Sequence, residues 1–157
     1  MNVVYKVTRP HARVPEYAHD TDAGADLRTM EGCTLRSLER RLLPTGIAVQ
    51  IPEGYYGAVV PRSGLAAKRG LTVLNAPGTI DSGYRGEVGV CLVNLSTETQ
   101  TIEEGERIAQ LIILPYEKAD FIRSLELEPT VRGDGSFGST GTMEGCTRRR
   151  AGPSRTR

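Results

Sequence analysis

Short apolar segments separated by turn residues occupy most of the chain. The segments with the length of β-strands, several with alternating apolar positions, are NVVYKV, LLPTGIAVQI, YYGAVV, EVGVCLVN and FIRSLEL. In EVGVCLVN, Val88, Val90 and Leu92 fall on one face of the expected strand. A near-continuous apolar run from Ile108 to Leu114 predicts a further strand that is buried on both faces. The pattern as a whole predicts an all-β sandwich or barrel.

Two places in this pattern predict particular local structures. Pro52–Gly54 predicts a hairpin-like break between two strands. The segment SGLAAKRG predicts the one short helix, with Ser63 as its N-cap and Gly70 closing its C-terminal end. Arg62 stands directly before this helix, where an anion could meet both the guanidinium group and the helix N-terminus. An ordinary capped turn is the competing interpretation.

Composition narrows the class of protein. A chain of 157 residues with 38% hydrophobic residues suits one domain with a real core. Three widely spaced cysteines, Cys33, Cys91 and Cys146, and only two histidines predict neither a disulfide framework nor a zinc site. No apolar run is long enough to span a membrane, and the first residues lack the pattern of a signal peptide. The expected location is therefore the cytoplasm.

The charge is distributed unevenly along the chain. Five of the twenty basic residues lie in the last eleven, which carry no acid, so residues 1–146 hold 15 basic and 19 acidic side chains. Because this body is mildly acidic, local arginines, backbone N–H groups or a metal would have to attract an anion. Residues 142–157 are expected to be a disordered basic tail, either dispensable or able to touch nucleic acid.

The glycine-rich stretch RGDGSFGSTG, residues 132–141, has the composition of a phosphate-binding loop. It departs from a Walker loop because Ser139 stands in the place of the lysine and no apolar strand precedes it. The remaining interpretation is a mobile phosphate clamp, in which Arg132 supplies charge and Phe137 stacks on a flat ring. A disordered tail with an accidental phenylalanine is the alternative.

Three further polar positions are candidates for chemistry. Asp81, in LNAPGTIDSGYRGEV, could take a proton from water beside a phosphate, although a turn capped by its own side chain is the alternative. Asp26 follows small residues that permit close approach of another group, or it belongs to an ordinary turn. Gln110 is the long polar side chain within an apolar run, and a buried amide there needs partners from backbone or phosphate.

Taken in order, five segments make the chain resemble the homotrimeric dUTPase family, the deoxyuridine 5′-triphosphate nucleotidohydrolases. They are AGADL at 23–27, PRSGLAAKRGL at 61–71, NAPGTIDSGYRGEV at 75–88, GERIAQLII at 105–113 and RGDGSFGSTG at 132–141. The resemblance covers residues 1–141. It implies an all-β jelly-roll β-sandwich, the dUTPase-like β-clip, with one short helix and a trimeric assembly whose active sites are shared between subunits. The implied division is a β-sandwich domain at 1–128, a flexible lid motif at 129–141 and the tail at 142–157.

The resemblance also implies a reaction, in which dUTP and water give dUMP and pyrophosphate with Mg²⁺. This reaction limits uracil incorporation into DNA and supplies dUMP for dTTP synthesis. Asp81 would be the catalytic base that activates the attacking water. Mg²⁺ would be held mainly by the triphosphate and water, with Asp26 nearby through hydrogen bonds. The implied substrate-binding residues are Arg62, Ser63, Gly64, Asn75, Gly78, Thr79, Ile80, Asp81, Tyr84, Gly89, Gln110, Arg132, Phe137, Gly138 and Ser139.

Within that set, the resemblance implies separate roles. Asn75 and the backbone from Gly78 to Asp81 would read uracil, and Tyr84 would pack under the deoxyribose and leave no room for a 2′-hydroxyl. Arg62, Ser63 and Gly64 would meet the phosphates, and Gln110 the α-phosphate. From another subunit, Arg132 and Ser139 would hold phosphates while Phe137 covered the uracil ring. No membrane partner and no specific nucleic-acid binding are expected.

The sequence departs from the family pattern in two places, and two other functions stand as alternatives to the one that the resemblance implies. Ser136 stands where the family often has glycine, which could slow closure of the lid, and the tail extends beyond the usual end. The first alternative is a dCTP deaminase, or a bifunctional form, which is similar in fold. That family uses a glutamate for proton transfer at the nucleobase, and TIDSGYRGEV offers no obvious match, although Glu87 is nearby. A nucleotide-binding regulator without turnover is the other alternative, against which the presence of Asp81 argues.

Overall fold

The computed structural model describes residues 1–136 of the chain. A compact unit comprises Met1–Lys118 and holds every described strand and the helix; a second unit begins at Ala119. The strands are β1 Val4–Val7, β2 Ala25–Arg28, β3 Cys33–Leu35, β4 Arg40–Gln50, β5 Tyr55–Pro61, β6 Leu71–Val73, β7 Gly78–Ile80, β8 Glu87–Asn94, β9 Gln100–Ile102 and β10 Arg107–Pro115. The helix α1 spans Ser63–Arg69.

Antiparallel pairing arranges these strands in two four-stranded sheets and one two-stranded sheet. The first sheet has the order β1-β4-β8-β6, the second has the order β2-β10-β5-β7, and β3 pairs with β9. Apolar side chains from both larger sheets, from β3 and β9 and from α1 form one buried cluster. The predicted all-β jelly-roll sandwich with one short helix is confirmed.

Strand β8 shows why the alternating pattern predicted the core correctly. Val88, Val90 and Leu92 are each 0% exposed, because alternate residues of a strand point to the same side and here that side faces the opposite sheet. Full burial of each such side chain stabilises the fold by about 1.5–3 kcal/mol. The alternation therefore positions β8 and, with it, the turn that precedes it.

The prediction that the run from Ile108 to Leu114 is buried on both faces is wrong for its second half. Ile108 and Leu111 are buried, whereas Leu114 is 38% exposed. Strand β10 pairs with β2 as far as Leu111, which lies opposite Ala25. Beyond Leu111, β10 pairs with β5 alone. The second half of β10 therefore lies at a sheet edge, which an apolar run alone does not reveal.

The break predicted at Pro52–Gly54 is present, but the two strands that flank it do not pair as a hairpin would require. A turn does occur there, since the N–H of Tyr55 donates to the carbonyl of Pro52 at 3.2 Å. However, β4 belongs to the first sheet and β5 to the second, so the turn carries the chain between the layers. Ile51, which is 2% exposed, is buried in the shared core at this crossing.

The segment FIRSLEL, predicted as a last alternating strand, forms no strand among the described residues. Phe121 is 99% exposed and Ile122 is 89% exposed. A strand needs a partner for its backbone hydrogen bonds, and residues 1–136 supply none for this segment. The predicted division at residues 128 and 141 stays a prediction.

The short helix forms where it was predicted, with a different cap. Ser63 is its first residue and not its N-cap; Arg62 occupies the N-cap position with φ −86° and ψ 125°, and no side chain caps the helix. Gly70 ends the helix with φ 65°, as predicted, because glycine adopts this left-handed conformation without strain. Leu65 packs into the core.

Among residues 1–136, no helix is long and apolar enough to cross a bilayer.

Arg69, in the last turn of α1, ties the helix to the β9 region. Its Nε donates to Oε1 of Gln100 at 3.0 Å, and one terminal nitrogen donates to Oε1 of Glu106 at 2.5 Å. Its other terminal nitrogen donates to the carbonyl of Thr101. These bonds hold the C-terminal turn of α1 against β9 and the residues that follow it.

Candidate active site

A cavity of about 320 Å³ lies between the end of β7 and the start of β8. Five of the predicted site residues line it together with Leu42 and Glu87; the five are Thr79, Ile80, Asp81, Tyr84 and Gly89. Both an apolar surface and a carboxylate therefore border the same space. The structure brings this part of the predicted site together within one chain.

The wall of the cavity that β7 forms is an edge of a sheet. Residues Gly78, Thr79 and Ile80 pair on one side with β5, and no described strand pairs with the other side. An edge strand presents free backbone donors and acceptors, which match the hydrogen-bonding edge of a flat polar ring. A Cβ atom on Gly78 would lie 3.3 Å from Nδ2 of Asn75, so the glycine lets that amide approach the strand closely.

Asp81 lies in the turn that follows β7. The N–H of Tyr84 donates to the backbone carbonyl of Asp81 at 3.0 Å, so main-chain atoms close this turn. Asp81 is exposed, and within residues 1–136 no hydrogen bond engages its carboxylate. A turn capped by the Asp81 side chain, the alternative from the sequence, is therefore not what the structure shows.

Glu87 is a cavity residue that was not predicted as part of a hydrolase site. One of its carboxylate oxygens accepts from the N–H of Gly46 at 2.8 Å and the other from Nε of Arg9 at 3.1 Å. Burial raises the pKa of Glu87, but the hydrogen bonds from Gly46, Arg9 and Thr8 outweigh it, and the pKa is lower than the ordinary value. The carboxylate is therefore held in its charged form.

A second group of predicted residues gathers around the buried carboxylate of Asp26, which is 6% exposed. Nε of Arg62 donates to Oδ1 at 2.9 Å, and a terminal nitrogen of Arg107 donates to Oδ2 at 3.1 Å. Arg62 also donates to the backbone carbonyl of Arg107 at 3.3 Å. The two guanidinium groups compensate the cost of burying the charge of Asp26, and each is held in place by its hydrogen bond to that carboxylate.

Arg107 is the site residue that sequence reasoning missed. It opens the apolar run RIAQLII, which drew attention to Gln110 only. A buried carboxylate requires a cationic partner, and a cation placed at the start of a buried strand could have been matched with Asp26 on that ground.

Gln110 belongs to the same group. It stands opposite Asp26 in the pairing of β10 with β2, and it is half-buried. A Cβ atom on Gly24 would lie 3.1 Å from Cβ of Gln110, so a small residue there permits the close approach that the sequence suggested. Ser63 and Gly64 are exposed in the first turn of α1, next to Arg62.

Within one chain, the two groups are far apart. Strands β2 and β7 are opposite edges of the second sheet, and three strand spacings amount to about 14 Å. The two groups are also separated along the strand direction. Ile80 pairs with Gly57, and the five residues of extended chain from Gly57 to Arg62 span about 17 Å. Arg62 also points to Asp26, away from β7.

Of the last predicted segment, only its first residues are described. In the unit that begins at Ala119, Nε of Arg132 donates to the carbonyl of Gly135 at 3.1 Å, and the N–H of Gly135 donates back to the carbonyl of Arg132 at 3.2 Å. Arg132 therefore lies in a tight turn. Phe137, Gly138 and Ser139 lie outside the described residues.

These two groups of residues fall within segments that a known family shares. The sequence profile of the dUTPase family matches residues 10–141. The chain belongs to the dUTPase family. A deoxyuridine 5′-triphosphate nucleotidohydrolase of Streptomyces avermitilis is 49% identical over 142 residues, which cover 90% of this chain and 81% of that protein.

Solved dUTPase structures share the fold. A mutant dUTPase of Staphylococcus bacteriophage 80alpha with dUpNHpp is 33% identical, with a TM-score of 0.83, and the match covers 90% of this chain and 99% of that one. A mutant dUTPase from phage phi11 of S. aureus, described with a structural Mg(II) ion, is 30% identical with a TM-score of 0.75 over 82% of this chain and 99% of that one.

This dUTPase offers few side chains that could bind a metal directly. Among residues 1–136, no group of three or more His, Cys, Asp or Glu side chains is placed to hold a metal ion. Both carboxylate oxygens of Asp26, the acid expected near Mg²⁺, accept hydrogen bonds from arginines. The Asp26 carboxylate is thus already paired with arginines, an arrangement that does not suit direct coordination of Mg²⁺.

Proposed function

We propose that this chain hydrolyses dUTP to dUMP and pyrophosphate, which limits uracil incorporation into DNA and supplies dUMP for dTTP synthesis. Its membership of the dUTPase family supports this activity. The observation that carries the proposal for the site is the unengaged carboxylate of Asp81, which shares a cavity with Tyr84 and the free edge of β7. The carboxylate can act as a general base, the aromatic ring can pack against the nucleotide, and the strand edge can form hydrogen bonds with its base.

In the proposed reaction, Asp81 acts as the general base. Its carboxylate accepts a proton from water while the water oxygen forms a bond to the α-phosphorus. The bond between that phosphorus and the bridging oxygen to the β-phosphate breaks, and pyrophosphate leaves with the electron pair. The Asp81 carboxylate is exposed and accepts no hydrogen bond from residues 1–136, so none of these bonds has to break before it meets the water.

The base and the sugar of dUTP are assigned to the β7 side of the site. The free edge of β7 and the amide of Asn75 are proposed to pair with the polar edge of uracil. Tyr84, whose ring borders the same cavity, is proposed to pack under the deoxyribose and exclude a 2′-hydroxyl. Gly89 lines the cavity beside Leu42 and leaves that wall free of a further side chain.

The phosphates are assigned to the group around Asp26. Arg62, Ser63 and Gly64 are proposed to bind them at the first turn of α1, and Gln110 the α-phosphate. Asp26 fixes the direction of Arg62 before substrate arrives, which lowers the entropy lost when the triphosphate binds.

Mg²⁺ is proposed to enter as part of the substrate, complexed with the triphosphate. The absence of a ligand cluster among residues 1–136 supports this route over a resident ion. Asp26 and water would contact the hydrated ion through hydrogen bonds. Bound in this way, the ion supplies positive charge to the phosphate oxygens.

The separation of the two groups supports a homotrimer with shared sites. Asp81 and Arg62 of one chain are too far apart to act on one α-phosphate. Asp81 follows β7 at one edge of the sheet, whereas the Arg62 side chain bonds to Asp26 of β2 at the other edge. We propose that the β7 side of one subunit meets the Asp26 side of another. Residues 129–141 of a neighbouring subunit would then close over the site, with Arg132 and Ser139 on the phosphates, Gly138 allowing close approach and Phe137 on the uracil.

A deaminase is not favoured, because the carboxylate of Glu87 is already held by Gly46 and Arg9.

The proposed location is the cytoplasm, where the dUTP pool that feeds DNA synthesis would be hydrolysed. No membrane partner and no specific nucleic-acid partner belong to this proposal.

Pyrophosphate release tests the function. The protein is incubated separately with dUTP, dCTP, dTTP and UTP, with and without Mg²⁺. Turnover of dUTP alone, dependent on Mg²⁺, is the expected result. Ammonia release from dCTP would support a deaminase instead, and tight dUTP binding without turnover would support a regulator.

A further inference from the structure

The ring of Tyr84 has an unusual environment for a residue that must select substrates by shape. Its side chain is 44% exposed, so core packing does not fix its rotamer. Its hydroxyl instead donates to the backbone carbonyl of Glu87 at 3.0 Å. We propose that this carbonyl and the missing side chain of Gly86 together set the position of Tyr84, and thereby set selection for a 2′-deoxy sugar. The inference rests on the proposed function.

The acceptor for the Tyr84 hydroxyl is itself held firmly. Glu87 pairs with Ala48 in the register of β8 with β4. Its carboxylate accepts from the N–H of Gly46 at 2.8 Å and from Nε of Arg9 at 3.1 Å. Two segments distant in sequence, β4 and the residues around Arg9, therefore fix this residue, so its carbonyl is a rigid anchor for an exposed ring.

Gly86 supplies the space in which the ring lies. A Cβ atom there would be 2.6 Å from Cζ of Tyr84 and closer still to its hydroxyl oxygen, distances that van der Waals contact does not allow. The backbone of Gly86 lies outside the left-handed region, so an alanine could adopt its conformation. The requirement for glycine at position 86 therefore comes from the tyrosine ring and not from backbone strain.

Displacing the ring has a defined consequence for the sugar. A wall that excludes one hydroxyl group works only if it stays within a fraction of an ångström of the sugar, since the rejected group is small. A ring free to rotate would leave room for the 2′-hydroxyl of UTP. Loss of the anchor is therefore expected to affect selection between UTP and dUTP more than the turnover number for dUTP.

Gly86→Ala and Gly83→Ala form a matched pair for the test. Gly83 is in the same turn, and a Cβ atom there meets no heavy atom within 4 Å. The ratio of kcat/KM for dUTP to kcat/KM for UTP is measured for wild type and both variants, with thermal unfolding as a check of folding. Gly86→Ala is expected to lower this ratio about five- to tenfold, and Gly83→Ala is expected to leave it unchanged.

Two further variants separate this positioning role from general damage. Tyr84→Phe keeps the ring, removes the hydrogen bond to Glu87 and is expected to lower the selectivity ratio about fivefold. In a Tyr84→Ala background, Gly86→Ala is expected to have no additional effect on the ratio, because it acts through the ring.

The outcomes distinguish this inference from the proposed function. Unchanged selectivity in Gly86→Ala and in Tyr84→Phe would overturn the inference, as would a full effect of Gly86→Ala in the Tyr84→Ala background. If Gly86→Ala does not fold, Tyr84→Phe decides. A wild-type protein that fails to hydrolyse dUTP would instead overturn the proposed function before any variant is compared.

Discussion

Asp26 and Arg62, 36 positions apart in sequence, are joined by a hydrogen bond of 2.9 Å between a buried carboxylate and a guanidinium group. The same carboxylate accepts from Arg107 at 3.1 Å. An arginine that is proposed to meet a triphosphate is thus already oriented by an acid with little contact to solvent. In the proposed site, the charge of Asp26 would therefore orient Arg62 in addition to its contribution to the stability of the sheet.

Asp26→Asn is expected to weaken both properties. The amide keeps the shape but loses the charge that holds two guanidinium groups, so the free energy of unfolding should fall by about 1–3 kcal/mol. The KM for dUTP should rise because Arg62 is no longer held in place. Urea denaturation and steady-state kinetics measure the two effects. Asp20→Asn, the same change at an exposed acid, serves as the control and should alter neither.

Asp81→Asn is expected to abolish turnover and retain binding. The amide cannot accept the proton of water, so kcat should fall by about 10²–10⁴-fold. Calorimetric titration with dUpNHpp should still show binding, because the cavity and the edge of β7 are unaltered. A variant that turned over dUTP at the normal rate would remove Asp81 from its assigned role.

Mixing two inactive variants tests whether sites are shared between chains. Asp81→Asn and Arg62→Ala subunits are unfolded together, refolded and assayed. If each site takes Asp81 from one chain and Arg62 from another, random assembly restores about a quarter of the sites. Each variant refolded alone stays inactive as the control. An inactive mixture of folded trimers would show that one chain supplies both residues.

Glu87 predicts a pH dependence of stability. Its pKa in the folded protein lies below the ordinary 4.5, because the hydrogen bonds from Gly46 and Arg9 outweigh burial. Its contribution to stability is therefore fully present above that value and is lost as the pH falls through the folded pKa. Between about pH 6 and about pH 3.5, the wild type should lose more unfolding free energy than Glu87→Gln.

The control for that measurement is Glu53→Gln, the same change at an exposed glutamate. This variant should lose stability in acid as the wild type does. Equal acid sensitivity of the wild type and Glu87→Gln would show that the hydrogen bonds of Glu87 do not stabilise the fold.

Phe137→Ala tests the proposed lid from outside the described residues. Loss of a ring stacked on uracil is expected to raise the KM for dUTP about tenfold and to slow the reaction. The trimer should remain intact, as measured by light scattering. An unchanged KM and rate would refute closure of this segment over the base.

Alternation and composition predicted those features that depend on neighbouring residues. The core face of β8, the helix beginning near Ser63 and the glycine that ends it follow from local periodicity and conformational preference. The candidate residues Asp81, Tyr84 and Gln110 could also be identified from the sequence, because the motifs that contain them can be recognised without knowing which strands pair. Such features can be read along the chain because each depends on a few consecutive positions.

Contacts between distant segments decided the rest. Pairing placed β4 and β5 in different sheets, left half of β10 at an edge and brought Arg107 to Asp26, and no local pattern encodes these relationships. The same topology set Asp81 and Arg62 far apart in one chain, and this separation is the basis for the proposal that two chains complete each site. Which strands become neighbours depends on the burial of the whole sheet, so only the tertiary structure could establish it.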